Sequence, residues 1–101
     1  MGITASSSSD GLELTIAVSG SFDFSQHQAF RSICENASNR IQRFIIDLGA
    51  ADYIDSSALG MLLVLRDRVG GSRDKVKLAK VKPEVKKIFE IANFDQLFTI
   101  I

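Results

Sequence analysis

The sequence is poor in the residues that mark several common protein classes. It has no tryptophan, one proline, one histidine and a single cysteine, Cys34. One cysteine cannot form an internal disulfide, and a chain without disulfides fits the reducing cytosol, which is the location we expect. His27 has no second histidine or cysteine near it in the sequence, so it does not indicate a metal site. We expect no cofactor and no metal.

Long apolar runs and an excess charge of one sign are also lacking. No apolar run approaches the roughly 18–20 residues that a membrane-spanning helix needs, so we expect no membrane insertion. The formal net charge is zero, although lysine and arginine are concentrated in residues 73–87. There Lys75 and Lys77 alternate with Val76 and Leu78, which is typical of a strand with one open face, and no aromatic residues interleave them. We therefore expect no nucleic-acid partner.

Hydrophobic residues make up 46% of the 101 residues, which is enough for one domain over residues 1–101 with a single core. Residues 2–19 predict a hairpin with a serine-rich turn. In its second strand every other residue is apolar, a period of two that buries one face: Leu12, Leu14, Ile16 and Val18.

A turn at residues 20–23 is predicted to end this strand and lead to a first helix. Ser25, with Gln28 three residues later, forms a capping-box pattern for that helix. The apolar residues that follow recur at helical spacing, which predicts a buried Cys34 and places His27 on the solvated side: Phe30, Ile33, Cys34 and Ala37.

The second half of the chain alternates strands and helices. Residues 44–48 are a β-favouring run typical of a central strand, and residues 49–54 read as a loop. Residues 58–65 are apolar nearly all round, which predicts a buried helix. Further elements are a strand at 75–79, a helix that begins at Pro83 and ends near Asn93, and a short strand or docked tail at 97–101.

The predicted order is β-β-α-β-α-β-α-(β). Strands separated by helices need crossover connections, so the sheet should be mostly parallel after an antiparallel hairpin. The fold class is therefore α/β, a single domain with a mixed, mostly parallel sheet of four or five strands packed by helices. A monomer is the expected state.

The loop at residues 52–60 is the candidate site, because it leaves a central strand and enters a helix, where α/β sheets present their working groups. Ser56 and Ser57 stand at the helix start, where free backbone N–H groups and the helix dipole favour negative charge. From the residues alone, a simpler interpretation stays open, in which Asp55, Ser56 and Ser57 only cap the helix.

The motif Asp55-Ser56-Ser57-Ala58-Leu59-Gly60 resembles the STAS domain family, of the anti-sigma factor antagonist (anti-anti-sigma) type. The strand at 44–48, the turn at 20–23 and the helix start at 83–89 match the family in the same order, over nearly the whole chain. Ala58 stands where glycine is commonest, and Lys82 stands where a small capping residue is frequent. These departures leave the two serines intact.

The resemblance implies a phosphorylation-controlled binding switch and not an enzyme. It implies that a serine protein kinase of the anti-sigma factor type phosphorylates Ser57, or less favourably Ser56, and binds the unphosphorylated form. It further implies that a metal-dependent serine phosphatase resets the switch, and that another regulator can be the downstream target. Asp23 and Asp55 would lie beside the serine. The predicted partner-binding residues are Asp23, Asp52, Tyr53, Asp55, Ser56, Ser57 and Leu59.

Three alternatives stay open at this point. A receiver-like domain would accept a phosphoryl group on Asp47 and would need Mg²⁺ held by further carboxylates, for which Asp23 is the one candidate. It would also need a basic residue after a later strand. A hydrolase would use Ser56 or Ser57 as nucleophile, but Gly-x-Ser-x-Gly is lacking and His27 is the one histidine available as a base. A constitutive scaffold of the same fold would never be modified.

Overall fold

The computed structural model describes residues 2–101, and within this range five strands form one sheet with three α-helices. The strands are β1 (Gly2–Ser7), β2 (Glu13–Phe22), β3 (Arg43–Ile54), β4 (Val76–Ala79) and β5 (Thr99–Ile100). The helices are α1 (His27–Asn36), α2 (Ser56–Arg68) and α3 (Pro83–Ile91). Short 3₁₀ turns cover Phe24–Gln26, Arg73–Lys75 and Phe94–Gln96. No helix among these residues is long and apolar enough to cross a membrane.

The strand order in the sheet follows the chain, β1-β2-β3-β4-β5. β1 pairs with β2 in antiparallel fashion, and the three later pairs are parallel. Each parallel pair is joined through one α-helix, as crossover connections require. The predicted α/β class, the mixed and mostly parallel sheet and the optional last strand are all confirmed.

One core cluster lies against the sheet face that carries Leu14, Ile16, Ile46 and Leu78. All three helices contribute to it, through Phe30 and Cys34 of α1, Ala58, Met61, Leu62 and Leu65 of α2, and Val85 and Phe89 of α3. The alternate strand positions carry smaller or charged side chains and stay partly exposed, among them Thr15, Ala17, Asp47 and Lys77. Packing against the core therefore holds β2 and β3 in place. The candidate site lies at the carboxyl ends of these two strands.

Two strands are longer than the sequence predicted. β2 continues through Phe22 and β3 continues through Ile54, so the predicted turn at 20–23 and loop at 49–54 are largely strand. The register slips between Ala17 and Ser19 and again between Gly20 and Ser21. Gly20 has φ 77°, which a residue without a side chain adopts easily. These bulges interrupt the period-two pattern while the pairing continues.

Two local predictions about helices were wrong. Ser25 does not cap α1: the N-cap residue of α1 is Gln26, which makes no side-chain capping bond. Asp23 instead caps the turn before α1, because its carboxylate accepts both the backbone N–H and the hydroxyl of Ser25. The chain then makes a 3₁₀ turn, and α1 begins at His27. Helix α2 was predicted to be buried, yet Leu63 and Val64 are 40% and 63% exposed, because the core covers one side of α2.

Candidate functional site

The ends of β2 and β3 bring two acidic residues to one edge of the sheet. Phe22 pairs with Ile54 in the parallel register, and the backbone N–H of Asp55 donates to the Phe22 carbonyl oxygen at 3.2 Å. Asp23 and Asp55 are the next residues along their strands. They therefore stand side by side at the carboxyl edge, where parallel sheets place functional groups.

Both aspartates cap the turn that follows them. Asp23 Oδ1 accepts the Ser25 N–H at 2.9 Å, and Asp55 Oδ1 accepts the Ala58 N–H at 2.9 Å. The sequence left open that Asp55, Ser56 and Ser57 only cap the helix. In the structure Asp55 takes this role, as the N-cap of α2. Ser56 and Ser57 are the first two residues inside the helix, and their side chains are not needed for capping.

Ser57 offers a hydroxyl group at the start of α2. Its side chain is partly exposed, and that of Ser56 is exposed. Among residues 2–101 the Ser57 hydroxyl has no hydrogen-bond partner in the protein. The first turn of a helix also has backbone N–H groups without intrahelical acceptors, which favour a negative charge nearby. A group added to this hydroxyl would break no side-chain hydrogen bond of Ser57 with residues 2–101.

The helix face that carries Ser57 is open along two turns. Gly60 and Val64 follow Ser57 at intervals of three and seven residues, so the three residues share that face. A Cβ atom built on Gly60 would meet no heavy atom within 4 Å, and Val64 is 63% exposed. The face therefore combines a hydroxyl, a bare stretch of backbone and an exposed aliphatic side chain.

The remaining predicted contact residues lie around this edge in different environments. Tyr53, near the end of β3, is 53% exposed. Asp52 is exposed too, but Lys82 donates to its carboxylate at 2.6 Å, so its charge is compensated. Leu59 is half-buried and packs against the core cluster. The structure places Asp23 beside Asp55, with Ser56 and Ser57 directly after Asp55, and packs Leu59 partly against the core.

Three further residues near the candidate site were not predicted from the sequence as site residues. Phe24 is 68% exposed and stacks on His27, with 5.5 Å between the ring centroids. Lys82 compensates Asp52 across 30 positions of sequence, and no local pattern signals such a pair. Val64 lies seven residues after Ser57 and therefore on the same helix face, but the apolar run that contains it does not show that this face is exposed.

Asp47 has the basic neighbour that a receiver phosphoacceptor needs, but among residues 2–101 it lacks the cluster of carboxylates that would hold Mg²⁺. It lies inside β3, its Oδ1 accepts the Gly49 N–H at 2.9 Å, and its Oδ2 lies 3.6 Å from Lys80 Nζ. Residues 2–101 contain no group of three acidic, histidine or cysteine side chains that could hold a metal ion. The doubly wound receiver order is 2-1-3-4-5 and differs from the order observed.

Comparisons with known proteins agree with this architecture. The chain matches the STAS domain family over residues 6–101. A STAS-domain-containing protein of Pseudomonas aeruginosa is 53% identical over 100 residues, which cover 99% of each chain.

Among solved structures, the anti-sigma factor antagonist SpoIIAA in its unphosphorylated form superposes with a TM-score of 0.77 at 15% identity. That match covers 99% of this chain and 87% of SpoIIAA. The phosphorylated form of the Bacillus cell fate determinant SpoIIAA gives a TM-score of 0.67 at 16% identity, over 99% of this chain and 91% of that one. At these identities the likeness establishes the fold alone, which is the fold of SpoIIAA.

The family match spans nearly the whole chain, the sheet and helices follow the fold of SpoIIAA, and the Asp-Ser-Ser motif stands at the carboxyl edge of the sheet. The chain belongs to the STAS domain family.

Proposed function

We propose that this protein is a partner switch controlled by phosphorylation of Ser57. The unphosphorylated form binds a serine protein kinase of the anti-sigma factor type, and phosphorylation releases it. A metal-dependent serine phosphatase restores the binding form. The protein acts by binding and not by catalysis, in the cytosol.

The observation that carries the proposal is the environment of the Ser57 hydroxyl. It is partly exposed, it has no hydrogen-bond partner among residues 2–101, and it stands in the first turn of α2 beside the Asp55 cap. A kinase needs an accessible hydroxyl, and a phosphoprotein needs a place where the new charge is tolerated. SpoIIAA, whose fold the chain shares, is known in unphosphorylated and phosphorylated forms, which supports the same chemistry here.

The switch follows from charge. A phosphoryl group adds about −1.5 to −2 charges at neutral pH. The helix start contributes roughly 0.3–1 kcal/mol in favour of such a charge, so the domain should stay folded. A partner surface that fits a neutral hydroxyl beside Asp23 and Asp55 would instead meet an excess of desolvated negative charge. A penalty on the order of 3 kcal/mol would weaken binding by roughly a hundredfold.

The exposed apolar groups around the serine supply the contact area. Phe24, Tyr53 and Val64 are each more than half exposed. Aromatic and aliphatic anchors of this kind contribute most of the affinity in protein interfaces, while charged groups adjust specificity. Asp52 adds little net charge because Lys82 compensates it. Phosphorylation of Ser57 is therefore the event that changes the net charge of this surface.

The proposal is tested by expression of the tagged full chain in its native cell. Intact mass should show one phosphoryl group on a fraction of the wild type and of Ser56→Ala, and none on Ser57→Ala. Phosphate on Ser57→Ala but not on Ser56→Ala would move the switch to Ser56. No phosphate on any of the three proteins would support a constitutive scaffold and contradict the proposal.

Affinity completes the test. A protein captured with Ser57→Ala as bait should bind purified Ser57→Asp about a hundredfold more weakly than it binds purified Ser57→Ala. Ser56→Asp is the matched control, because it adds the same charge one residue away on another helix face and should weaken binding less. Equal affinity for the Ser57→Ala and Ser57→Asp proteins would refute a charge-driven release.

A further inference from the structure

We propose that the free edge of β1, together with the groove between β1 and α1, binds an extended segment of a partner protein. The segment would add as a sixth strand beside β1, place an aliphatic side chain in the groove, and carry an acidic residue next to Arg40. This surface is separate from Ser57, and the proposal does not depend on phosphorylation.

The first observation is an unprotected edge. Within residues 2–101, β1 pairs with β2 alone, so alternate N–H and C=O groups along its other side have no strand partner. Natural edge strands are usually protected by lysine, proline, a bulge or a covering element. β1 has six residues, Gly-Ile-Thr-Ala-Ser-Ser, without a charge or a proline, and its register with β2 is unbroken. Such an edge favours the addition of another strand.

The second observation is an apolar groove along the same strand. Ala5 and Ser7 pair with Ile16 and Leu14, so they point to the side of the sheet that the helices cover. Ala5 and Ser7 are nevertheless exposed, because the layer of helices ends with α1 and does not cover this part of β1. The groove left there has a volume of about 450 Å³, and its apolar lining is Ala5, Leu14, Ile33, Ala37 and Ile41.

These two features are aligned. A strand added to β1 would direct every second side chain to the helix side of the sheet, which is where the groove lies. Main-chain hydrogen bonds would supply affinity along the edge, and the groove would select the inward side chain. Ile33, Ala37 and Ile41 are all partly buried, so an aliphatic side chain would complete their burial.

The choice of occupant follows from size and charge. On its inward face a second copy of β1 carries Ile3, Ala5 and Ser7, of which only Ile3 is a large aliphatic residue. It carries no acidic residue, so it offers no charge that complements the groove. Arg40 lines the groove, is exposed and makes no ion pair within residues 2–101. An acidic residue in the bound segment would complement it.

The groove lies at the opposite end of the sheet from Ser57. Leu14 pairs with Phe44 at the amino end of β3, whereas Ser57 follows its carboxyl end. One partner at each end can therefore be bound at the same time. Phosphorylation of Ser57 should leave the affinity of the β1 groove unchanged.

The test uses fluorescently labelled peptides of six residues, the length of β1. The probe is Glu-Leu-Thr-Leu-Thr-Glu with both ends blocked, and the comparison peptide has lysine in place of both glutamates. Affinity is measured by fluorescence anisotropy with the full chain. Ala5→Lys places a long charged side chain at the groove, and Thr4→Lys adds the same charge on the same strand but on the other face. Ala5 and Thr4 are both exposed, so both variants should fold.

We expect the glutamate peptide to bind wild type, Thr4→Lys and Ser57→Asp alike, and to bind Ala5→Lys about tenfold more weakly or worse. Arg40→Glu should reverse the preference between the two peptides. Backbone amide signals of β1 should shift in the NMR spectrum on binding. No binding to wild type, equal loss in Thr4→Lys and Ala5→Lys, or a β1-mediated dimer of the protein that the peptide does not displace would each overturn the proposal. Loss of binding in Ser57→Asp would overturn the independence of the two surfaces and leave the switch proposal intact.

Discussion

The backbone N–H of Asp55 donates to the carbonyl oxygen of Phe22 at 3.2 Å, one residue before Asp23. This bond extends the pairing of β2 and β3 to the point where both strands end. As a result, the two capping residues Asp23 and Asp55 lie side by side at the end of the sheet, and α2 begins directly after Asp55. The position of Ser57 is therefore determined by two strands and one helix, not by a free loop.

The Asp55 cap should stabilise the fold measurably. Loss of an N-cap side chain costs about 1 kcal/mol, because the Ala58 N–H at 2.9 Å would lose its acceptor. We expect Asp55→Ala to lower the free energy of unfolding in urea by about 1 kcal/mol, with Asp55→Asn close to wild type. Equal destabilisation by both variants would show that the carboxylate charge, and not the capping bond, is what matters.

Gly60 provides a test of whether the Ser57 face of α2 touches the partner. Glycine inside a helix costs about 1 kcal/mol relative to alanine, and a Cβ atom at Gly60 would meet nothing within 4 Å. Gly60→Ala should therefore raise the free energy of unfolding by about 1 kcal/mol. If the partner approaches this backbone closely, the same variant should bind it more weakly although it is more stable.

Gly70→Ala is not a suitable control, because Gly70 has φ 90° and alanine would be strained there. Leu63→Ala is a better comparison, since Leu63 is 40% exposed and lies one turn beyond Gly60, on the side of Gly60 that is away from Ser57. Binding that is unchanged in Gly60→Ala and reduced in Leu63→Ala would move the interface away from Ser57 toward Leu63.

The sequence predicted the order of elements because each has a clear local pattern. The alternation is observed from Leu14 to Val18, whereas Leu12 lies before β2. The Pro83 start of α3 and the Asn93 stop, which has φ 61°, are also observed. The ends of β2 and β3 were missed since their pairing is non-local. Ala51 and Ile54 are buried in the core cluster, and they pair with residues of β2 that no short window of sequence around them contains.

The candidate site was also predictable only in part, because some of its residues are neighbours in the sequence and others are brought together by the fold. Ser56, Ser57 and Asp55 are consecutive and were recognised together. The position of Asp23 beside Asp55 depends on the Phe22–Ile54 register, and the Asp52–Lys82 pair depends on where α3 packs. The exposed Val64 was misjudged, because an apolar helix segment does not reveal which side the core covers.

Cys34 should be unreactive in the native state. Burial between α1 and α2 raises the pKa of its thiol from 9.0 to about 11, against a smaller opposing effect of Arg68. A thiol-specific reagent at neutral pH should label the protein in urea but not in buffer. Labelling in buffer at the rate seen in urea would contradict the burial of Cys34.

The same shift predicts a pH dependence of stability. Between pH 9 and 11 the unfolded thiol loses its proton while the folded thiol keeps it, so the free energy of unfolding should fall as the pH rises through this window. Cys34→Ala should lower stability at neutral pH, because it leaves a cavity, and should show a shallower fall over that pH range.

The last prediction concerns the effect of the Ser57 charge on the fold itself. A switch works only if the modified protein stays folded, and the first turn of α2 is where a negative charge is stabilised, by roughly 0.3–1 kcal/mol. Ser57→Asp should therefore have a free energy of unfolding equal to that of wild type or slightly above it. Val64→Asp adds the same side chain to the same exposed face two turns later, where the helix dipole gives no support, and should be the less stable of the two. Urea unfolding at low and high salt tests how much of the difference in unfolding free energy is electrostatic. Salt screens the charges and should therefore narrow the difference between the two variants. If Ser57→Asp unfolds more readily than Val64→Asp, release of the partner would come from local melting of α2 instead of from repulsion at an intact surface.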